Sequence, residues 1–157
     1  MQDMSTIINF LIFSIIAGIV GTSGMTFSMY LMNKTGIANA KMVIAIGSIL
    51  TKTRENAMRV GLIIHYTSGV FFGMVYTILF YVYGVTGVIS TLGIGFFIGC
   101  IHGFVMTFIL VIAVAEHHPL EEFREAGFAV AFAHFVGHMI YGALVGAVIG
   151  LSGIVGA

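Results

Sequence analysis

The sequence predicts an all-α integral membrane protein: a four-helix bundle of two tandem helical hairpins, with a short interfacial helix between the first two spans. Three observations predict this class. Hydrophobic residues make up 59% of the chain and charged residues only 8%, whereas soluble domains carry about 25% charged residues. Four apolar stretches reach the roughly 20 residues that a membrane helix needs. None of these stretches has Asp, Glu, Lys or Arg in its interior, in keeping with the cost of charge in lipid.

The predicted spans form a single transmembrane domain over residues 1–157. They cover residues 7–32, 60–82, 88–115 and 127–151. A further apolar segment at 36–50 is shorter than a span, and we expect it to lie at the cytoplasmic interface or to re-enter the membrane there. The alternative is a fifth span, which would place the two termini on opposite sides.

The basic residues predict how the chain is oriented. Arg124 precedes the fourth span, and the other five lie in one stretch: Lys34, Lys41, Lys52, Arg54 and Arg59. Basic loops stay in the cytoplasm, so we expect loops 33–59 and 116–126 inside and both termini outside. Aromatic side chains near the outer end of the second span are expected to form an interfacial belt. These are Tyr76, Phe80, Tyr81 and Tyr83.

A repeated motif, H-x-x-x-G-x-x-x-G, occurs in the second and fourth spans with an offset of 73 residues. Its defined residues are His65, Gly69 and Gly73, and then His138, Gly142 and Gly146. Positions four apart share a helix face, and small residues on one face let membrane helices approach closely. We therefore expect the four glycines to pack against other helices. The alternative is that they leave room for a flat ligand, such as haem or quinone, beside the histidines.

Four histidines lie inside the predicted spans: His65, His102, His134 and His138. An ionisable residue in a membrane helix is a candidate functional residue because its burial is costly. A rise of about 1.5 Å per residue places His65 and His134 near the cytoplasmic side, and His102 and His138 near mid-membrane. Paired imidazoles can ligate haem or a metal or relay protons. The alternative is that each one only hydrogen-bonds a neighbouring helix.

Methionines form a stripe near the cytoplasmic end of the first span, at Met25, Met29 and Met32. Thioethers are soft ligands that select Cu(I), so copper is one candidate cofactor. Methionine also fills irregular gaps in cores, which is the alternative interpretation.

The loop before the fourth span carries His117 and His118 among acidic residues. Its composition predicts an exposed, solvated segment. A weak surface metal site is the alternative, although the spacing matches no known ligand pattern.

The sequence lacks the short motifs of several enzyme classes and a domain for binding nucleic acid. It contains no G-x-S-x-G, Walker, H-E-x-x-H or C-x-x-C motif, and it offers no soluble domain to bind nucleic acid. We expect a non-catalytic subunit or accessory component of a membrane complex, whose partners are the lipid bilayer and other transmembrane helices in a homo- or hetero-oligomer. The competing hypothesis is a haem- or copper-binding protein, or a proton or ion pathway, that uses the span histidines.

The chain also resembles a group of small bacterial four-helix membrane proteins of unknown function. The resemblance covers most of the chain, and its motifs are IAGIVGTSGMTFSMYL, IGSIL, HYTSGVFFGMVY and HFVGHMIYGALVGAVIG. It implies the four-span fold, and we accordingly expect a bacterial inner (cytoplasmic) membrane. It transfers no catalytic residue to any position.

Overall fold

The computed structural model describes residues 4–124 and 127–156, and every regular element in this part of the chain is helical. Four helices are long and apolar enough to cross a membrane, which confirms the prediction of an all-α chain with four such helices. The five α-helices are α1 (Met4–Lys34), α2 (Met42–Thr51), α3 (Ala57–Val82), α4 (Val88–Ile109) and α5 (Phe128–Ser152). A π-helical turn, Leu110–Ala115, continues α4.

The short helix α2 begins later than the sequence predicts. The segment was expected to be helical from residue 36, but Gly36 has a φ of 75°, a left-handed conformation that favours glycine, and helix begins at Met42. With 10 residues, α2 is about 15 Å long, half the thickness of the hydrocarbon core. It is therefore too short to form a fifth span.

Contacts between glycine-bearing faces set the directions of the helices. Gly18 of α1 lies against Gly69 and Gly73 of α3, and Gly99 of α4 lies against His138 of α5. Helix α1 packs on both α3 and α5, α4 packs along α5, and α2 packs on α3. In each of these pairs, higher residue numbers on one helix meet lower numbers on the other, so the paired helices are antiparallel. Consequently α3 and α5 run in the same direction.

The 73-residue offset of the sequence motif also relates the helix contacts. A Cβ added at Gly73 would lie 2.7 Å from the Cα of Gly18. A Cβ added at Gly146 would lie 2.7 Å from the carbonyl carbon of Thr91, and Thr91 is the residue 73 positions after Gly18. The α1–α3 and α4–α5 pairs therefore meet in the same register.

Two of the four aromatic residues that were predicted to form the interfacial belt are buried instead. Tyr81 and Tyr83 are exposed, but Tyr76 is only 2% exposed and Phe80 is completely buried. The reason is helical periodicity, since Tyr76 and Phe80 continue the face that carries Gly69 and Gly73. That face turns toward α1 at the glycines and toward α4 and α5 at Tyr76, rather than toward the lipid interface.

The loop before α5 is exposed at Glu116, His117, Glu121 and Glu122, as the sequence predicts, but His118 folds onto α2. His117 is exposed, but His118 is only 1% exposed. The Nε2 of His118 lies 3.1 Å from the carbonyl oxygen of Ala45, and its Nδ1 accepts a 3.0 Å hydrogen bond from the backbone N–H of Leu120. Both ring nitrogens therefore have hydrogen-bond partners, which offset the cost of burying the imidazole.

An ion pair at the surface joins the same loop to the segment after α2. Arg54 donates two hydrogen bonds to the carboxylate of Glu122. These bonds hold the pKa of the Glu122 carboxyl below its ordinary value and raise the pKa of Arg54. The loop is thereby held to α2 through the buried His118 and to the segment after α2 through the exposed Arg54.

Candidate functional site

The four histidines of the spans line one cavity of about 110 Å³. It lies where α1, α3, α4 and α5 meet, and α2 covers one side. The other lining residues that bear on its chemistry are Thr22, Met25, Met42, Ser68, Met106 and Tyr141. The tertiary structure thus brings together side chains from all five helices.

Glycines position two of the imidazoles against each other. A Cβ added at Gly99 would lie 2.6 Å from the carbonyl oxygen of His138, and one added at Gly103 would lie 2.8 Å from the Cβ of His138. Because these positions lack side chains, α4 approaches α5 closely. His102 therefore lies beside His138, with ring centroids 4.6 Å apart.

Three of the imidazoles have one hydrogen-bond partner on a neighbouring group. The Nε2 of His65 lies 3.1 Å from the hydroxyl of Thr26, and the Nδ1 of His102 lies 3.2 Å from the hydroxyl of Tyr76. The Nδ1 of His134 donates to the carbonyl oxygen of Val130 at 2.7 Å.

Three buried ring nitrogens have no hydrogen-bond partner in the described part of the chain. They are the Nε2 of His102, the Nε2 of His134 and the Nδ1 of His138. An unsatisfied buried polar group costs roughly 1–3 kcal/mol, and such groups are rare in native proteins. Three on the walls of one cavity are not accounted for by hydrogen bonding between helices.

A second cavity, of about 50 Å³, adjoins the first. The two share Met42, Leu110 and His134 as lining residues, and the second is also lined by Lys41 and Glu122 near the protein surface. The shared Leu110 begins the π-helical turn, a distortion that is often found at functional sites. His134 therefore lies between the main cavity and the surface at the α2 end.

Comparisons with known proteins find no matching family model, no matching curated protein and no matching solved structure.

The arrangement does not suit haem on the closest histidine pair. Two axial imidazoles of one haem lie on opposite faces of the macrocycle, whereas the rings of His102 and His138 contact each other with nothing between them. Within the described residues, no group of three or more His, Cys, Asp or Glu side chains is arranged to hold a metal ion. A metal site among the described residues would therefore have fewer than three His, Cys, Asp or Glu ligands, or would add ligands of another kind.

The predicted methionine and loop ligands do not gather at one place. Met25 lines the histidine cavity, while the buried Met29 lines a separate groove and Met32 lies half-buried against the core. His117 is exposed, and both nitrogens of His118 are used by the backbone. Of these five candidates, only Met25 belongs to the histidine cavity.

The predicted packing glycines face two different helices. Gly69 and Gly73 lie against α1, and Gly142 and Gly146 lie against α4. Gly69 also lines the cavity, so close packing and the cavity wall share this position.

Sequence reasoning missed several residues of the site. Tyr141, whose hydroxyl donates to the carbonyl oxygen of Gly69 at 2.6 Å, stands three positions after His138 and so shares its helix face. That spacing could have identified it. Met42 and Met106 carry no such signal, because only the packing of α2 and α4 brings them to the cavity.

Proposed function

We propose that this chain is a small integral membrane protein that binds an ion or a small molecule in its histidine cavity. One observation carries the proposal: three buried imidazole nitrogens without partners belong to side chains that line the same cavity. Ionisable residues inside membranes are costly, and unpaired ones are costlier still. A bound ligand would supply the missing partners.

The size of the cavity favours a small occupant. A water molecule needs about 10–15 Å³ of such space, so about 110 Å³ accommodates several waters, or a metal ion with its ligands. A haem macrocycle is much larger. We therefore favour an ion or a small polar molecule over haem.

The smaller cavity indicates the side from which a ligand would enter the site. The smaller cavity reaches His134 from the side of Lys41 and Glu122. Under the expected orientation, with loops 33–59 and 116–126 in the cytoplasm and both termini outside a bacterial inner membrane, a ligand would enter from the cytoplasmic side.

The same proposal includes a duplicated architecture. We infer that α1–α3 and α4–α5 are two tandem hairpins within one four-helix bundle. The shared 73-residue offset of the motif and of the glycine contacts supports this inference, because independent hairpins have no reason to adopt the same register.

A proton pathway across the membrane is less well supported than binding. Beyond Tyr76, the interior is filled by Phe80, Val145 and Ile149, which are at most 1% exposed. These apolar side chains close the cavity at that end, so the polar groups form a pocket rather than a continuous path.

The accessory-subunit hypothesis is the second candidate. It is favoured by large apolar side chains that point away from the packed helices, including Phe71, Phe97 and Phe104, each at least 60% exposed. Lipid or the helices of a partner would cover them. The two hypotheses are compatible, since a subunit can also carry a ligand.

The test is to identify what the purified protein carries. Protein extracted from membranes in mild detergent is analysed for metals by plasma mass spectrometry and for small molecules by native mass spectrometry. We expect a stoichiometric ligand that disappears in the His134→Leu, His138→Leu double variant, while His117→Leu, at an exposed histidine outside the cavity, retains it. A wild-type protein that carries nothing in any preparation would overturn the proposal.

A further inference from the structure

We propose that the histidine cavity is a Cu(I) site whose ligands are the Nε2 of His134, the Nδ1 of His138 and the thioether sulfur of Met25. This inference rests on the proposed function and names its ligand class. It joins a soft ligand from α1 to two imidazoles from α5, all of which line the same cavity.

The hydrogen bond of His134 leaves one ring nitrogen free to ligate. A carbonyl oxygen can only accept, so the Nδ1–H of His134 donates to Val130. A neutral imidazole carries one N–H, and its Nε2 therefore presents a lone pair. Metal-binding histidines commonly donate their other ring N–H to a carbonyl in this way. The Nε2 is buried without a partner, and the whole residue is only 4% exposed.

Met25 packs against α5 at Gly137, three positions after His134 and one before His138, and lines the same cavity as both imidazoles. A Cβ added at Gly137 would lie 3.0 Å from the Cγ of Met25 and 3.3 Å from its Cε. The sulfur is bonded to both of these carbons, so it lies next to the backbone between His134 and His138. The residue is 2% exposed, which shields the thioether from water.

The charge of the surroundings selects a monovalent ion. The cavity is lined by no Asp, Glu, Lys or Arg, so no lining side chain would neutralise a bound cation. The cost of placing an ion in a medium of low dielectric constant rises steeply with its charge, which disfavours Zn²⁺ and Fe²⁺. Neutral imidazole and thioether ligands suit Cu(I), a soft ion that is satisfied by two or three ligands. A set of only two histidines is also consistent with the lack of any described three-residue His, Cys, Asp or Glu group.

The test uses the full chain in detergent with Cys100→Ala as background, because the single thiol would itself bind Cu(I). Cu(I) is titrated anaerobically against a competing chelator. We expect one tightly bound ion per chain, with both nitrogen and sulfur neighbours in its X-ray absorption spectrum. Met25→Leu should remove the sulfur signal and weaken binding by about 10–100-fold, the scale on which second-shell changes already act.

The matched control is Met29→Leu, at a methionine that is equally buried on the same helix but lies outside the cavity. It should bind Cu(I) like the background protein. His134→Phe should abolish binding while the helix content and the elution volume stay unchanged, which shows that the variant is folded.

The outcomes separate the two proposals. If Cu(I) does not bind but another ligand copurifies and depends on His134, the copper inference is wrong and the ligand-binding function stands. If neither is found, both fail. Cu(I) that binds Met25→Leu and His134→Phe as tightly as the background protein would place the ion elsewhere and overturn the site.

Discussion

His102 and His138 lie on different helices with their ring centroids 4.6 Å apart. Their contact depends on two glycines of α4, Gly99 and Gly103, where any side chain would collide with α5. Each ring keeps a nitrogen without a partner at the same cavity. The close packing of α4 on α5 therefore also positions the imidazoles. Single substitutions at a glycine or at a histidine test the packing and the polar site one at a time.

Replacing an unpartnered imidazole by an apolar side chain should not destabilise the fold. For His138→Leu we expect an unchanged or higher thermal midpoint of the ligand-free protein in detergent, because an unsatisfied nitrogen that costs about 1–3 kcal/mol is removed. His65→Leu serves as the comparison. It loses the contact with Thr26 and should cost about 1 kcal/mol. A midpoint that falls further for His138→Leu than for His65→Leu would make His138 a structural residue.

Packing at the motif glycines should be intolerant of a methyl group. A Cβ at Gly142 would lie 2.9 Å from the Cα of Gly99, a backbone atom, so Gly142→Ala should destabilise by about 1–3 kcal/mol. Gly93→Ala is the control, since a Cβ there meets no atom within 4 Å. Reversible unfolding in mixed micelles gives the free energy of unfolding of both variants. Equal values for the two would contradict the close-packing interpretation.

The hydroxyl of Tyr141 should stabilise the junction of α3 and α5. Tyr141→Phe removes a buried hydrogen bond to Gly69 while keeping the ring, so we expect a loss of about 0.5–1.5 kcal/mol. The exposed Tyr30→Phe should change nothing measurable by the same unfolding assay. If Tyr141→Phe had the same free energy of unfolding as wild type, this hydrogen bond would make no net contribution to stability.

The contact between Arg54 and Glu122 should depend on pH. Hydrogen bonding to Arg54 lowers the pKa of Glu122, so the contact is fully present above the ordinary glutamate range near pH 4 and is lost as the pH falls through the lowered value. The side-chain Nε–H resonance of Arg54 in NMR spectra reports the bond. It should move toward its free position in acid and, at every pH, in Glu122→Gln, whereas Glu121→Gln should behave like wild type.

The orientation of the chain is open to direct labelling. With Cys100→Ala as background, single cysteines at Met4, Lys52 and Gly156 are exposed to a membrane-impermeant maleimide in intact cells. Because basic loops resist translocation, we expect labelling at the first and last positions and protection at Lys52 until the membrane is opened. Labelling of only one terminus would indicate an odd number of spans.

Much of the fold could be predicted because it follows from local chemistry. The lack of charge over each span identified the four long helices, and four-residue spacing placed Gly69 and Gly73 on the face that packs on α1. The prediction was wrong where a side chain's surroundings come from another element. Tyr76 and His118 were expected at surfaces, but α4 and α5 contact Tyr76, and α2 contacts His118.

The sequence by itself determined that this protein has four helices of membrane-spanning length and that ionisable histidines lie within them, because solvation by lipid acts on each segment independently. Only the tertiary structure decided which histidines share a cavity, which ring nitrogens lack partners, and that Met25 lines this cavity whereas Met29, which also packs against Gly137, lines a separate groove. Those relationships depend on how far each helix slides and turns against its neighbours. That is a property of packing between distant segments, which no single segment encodes.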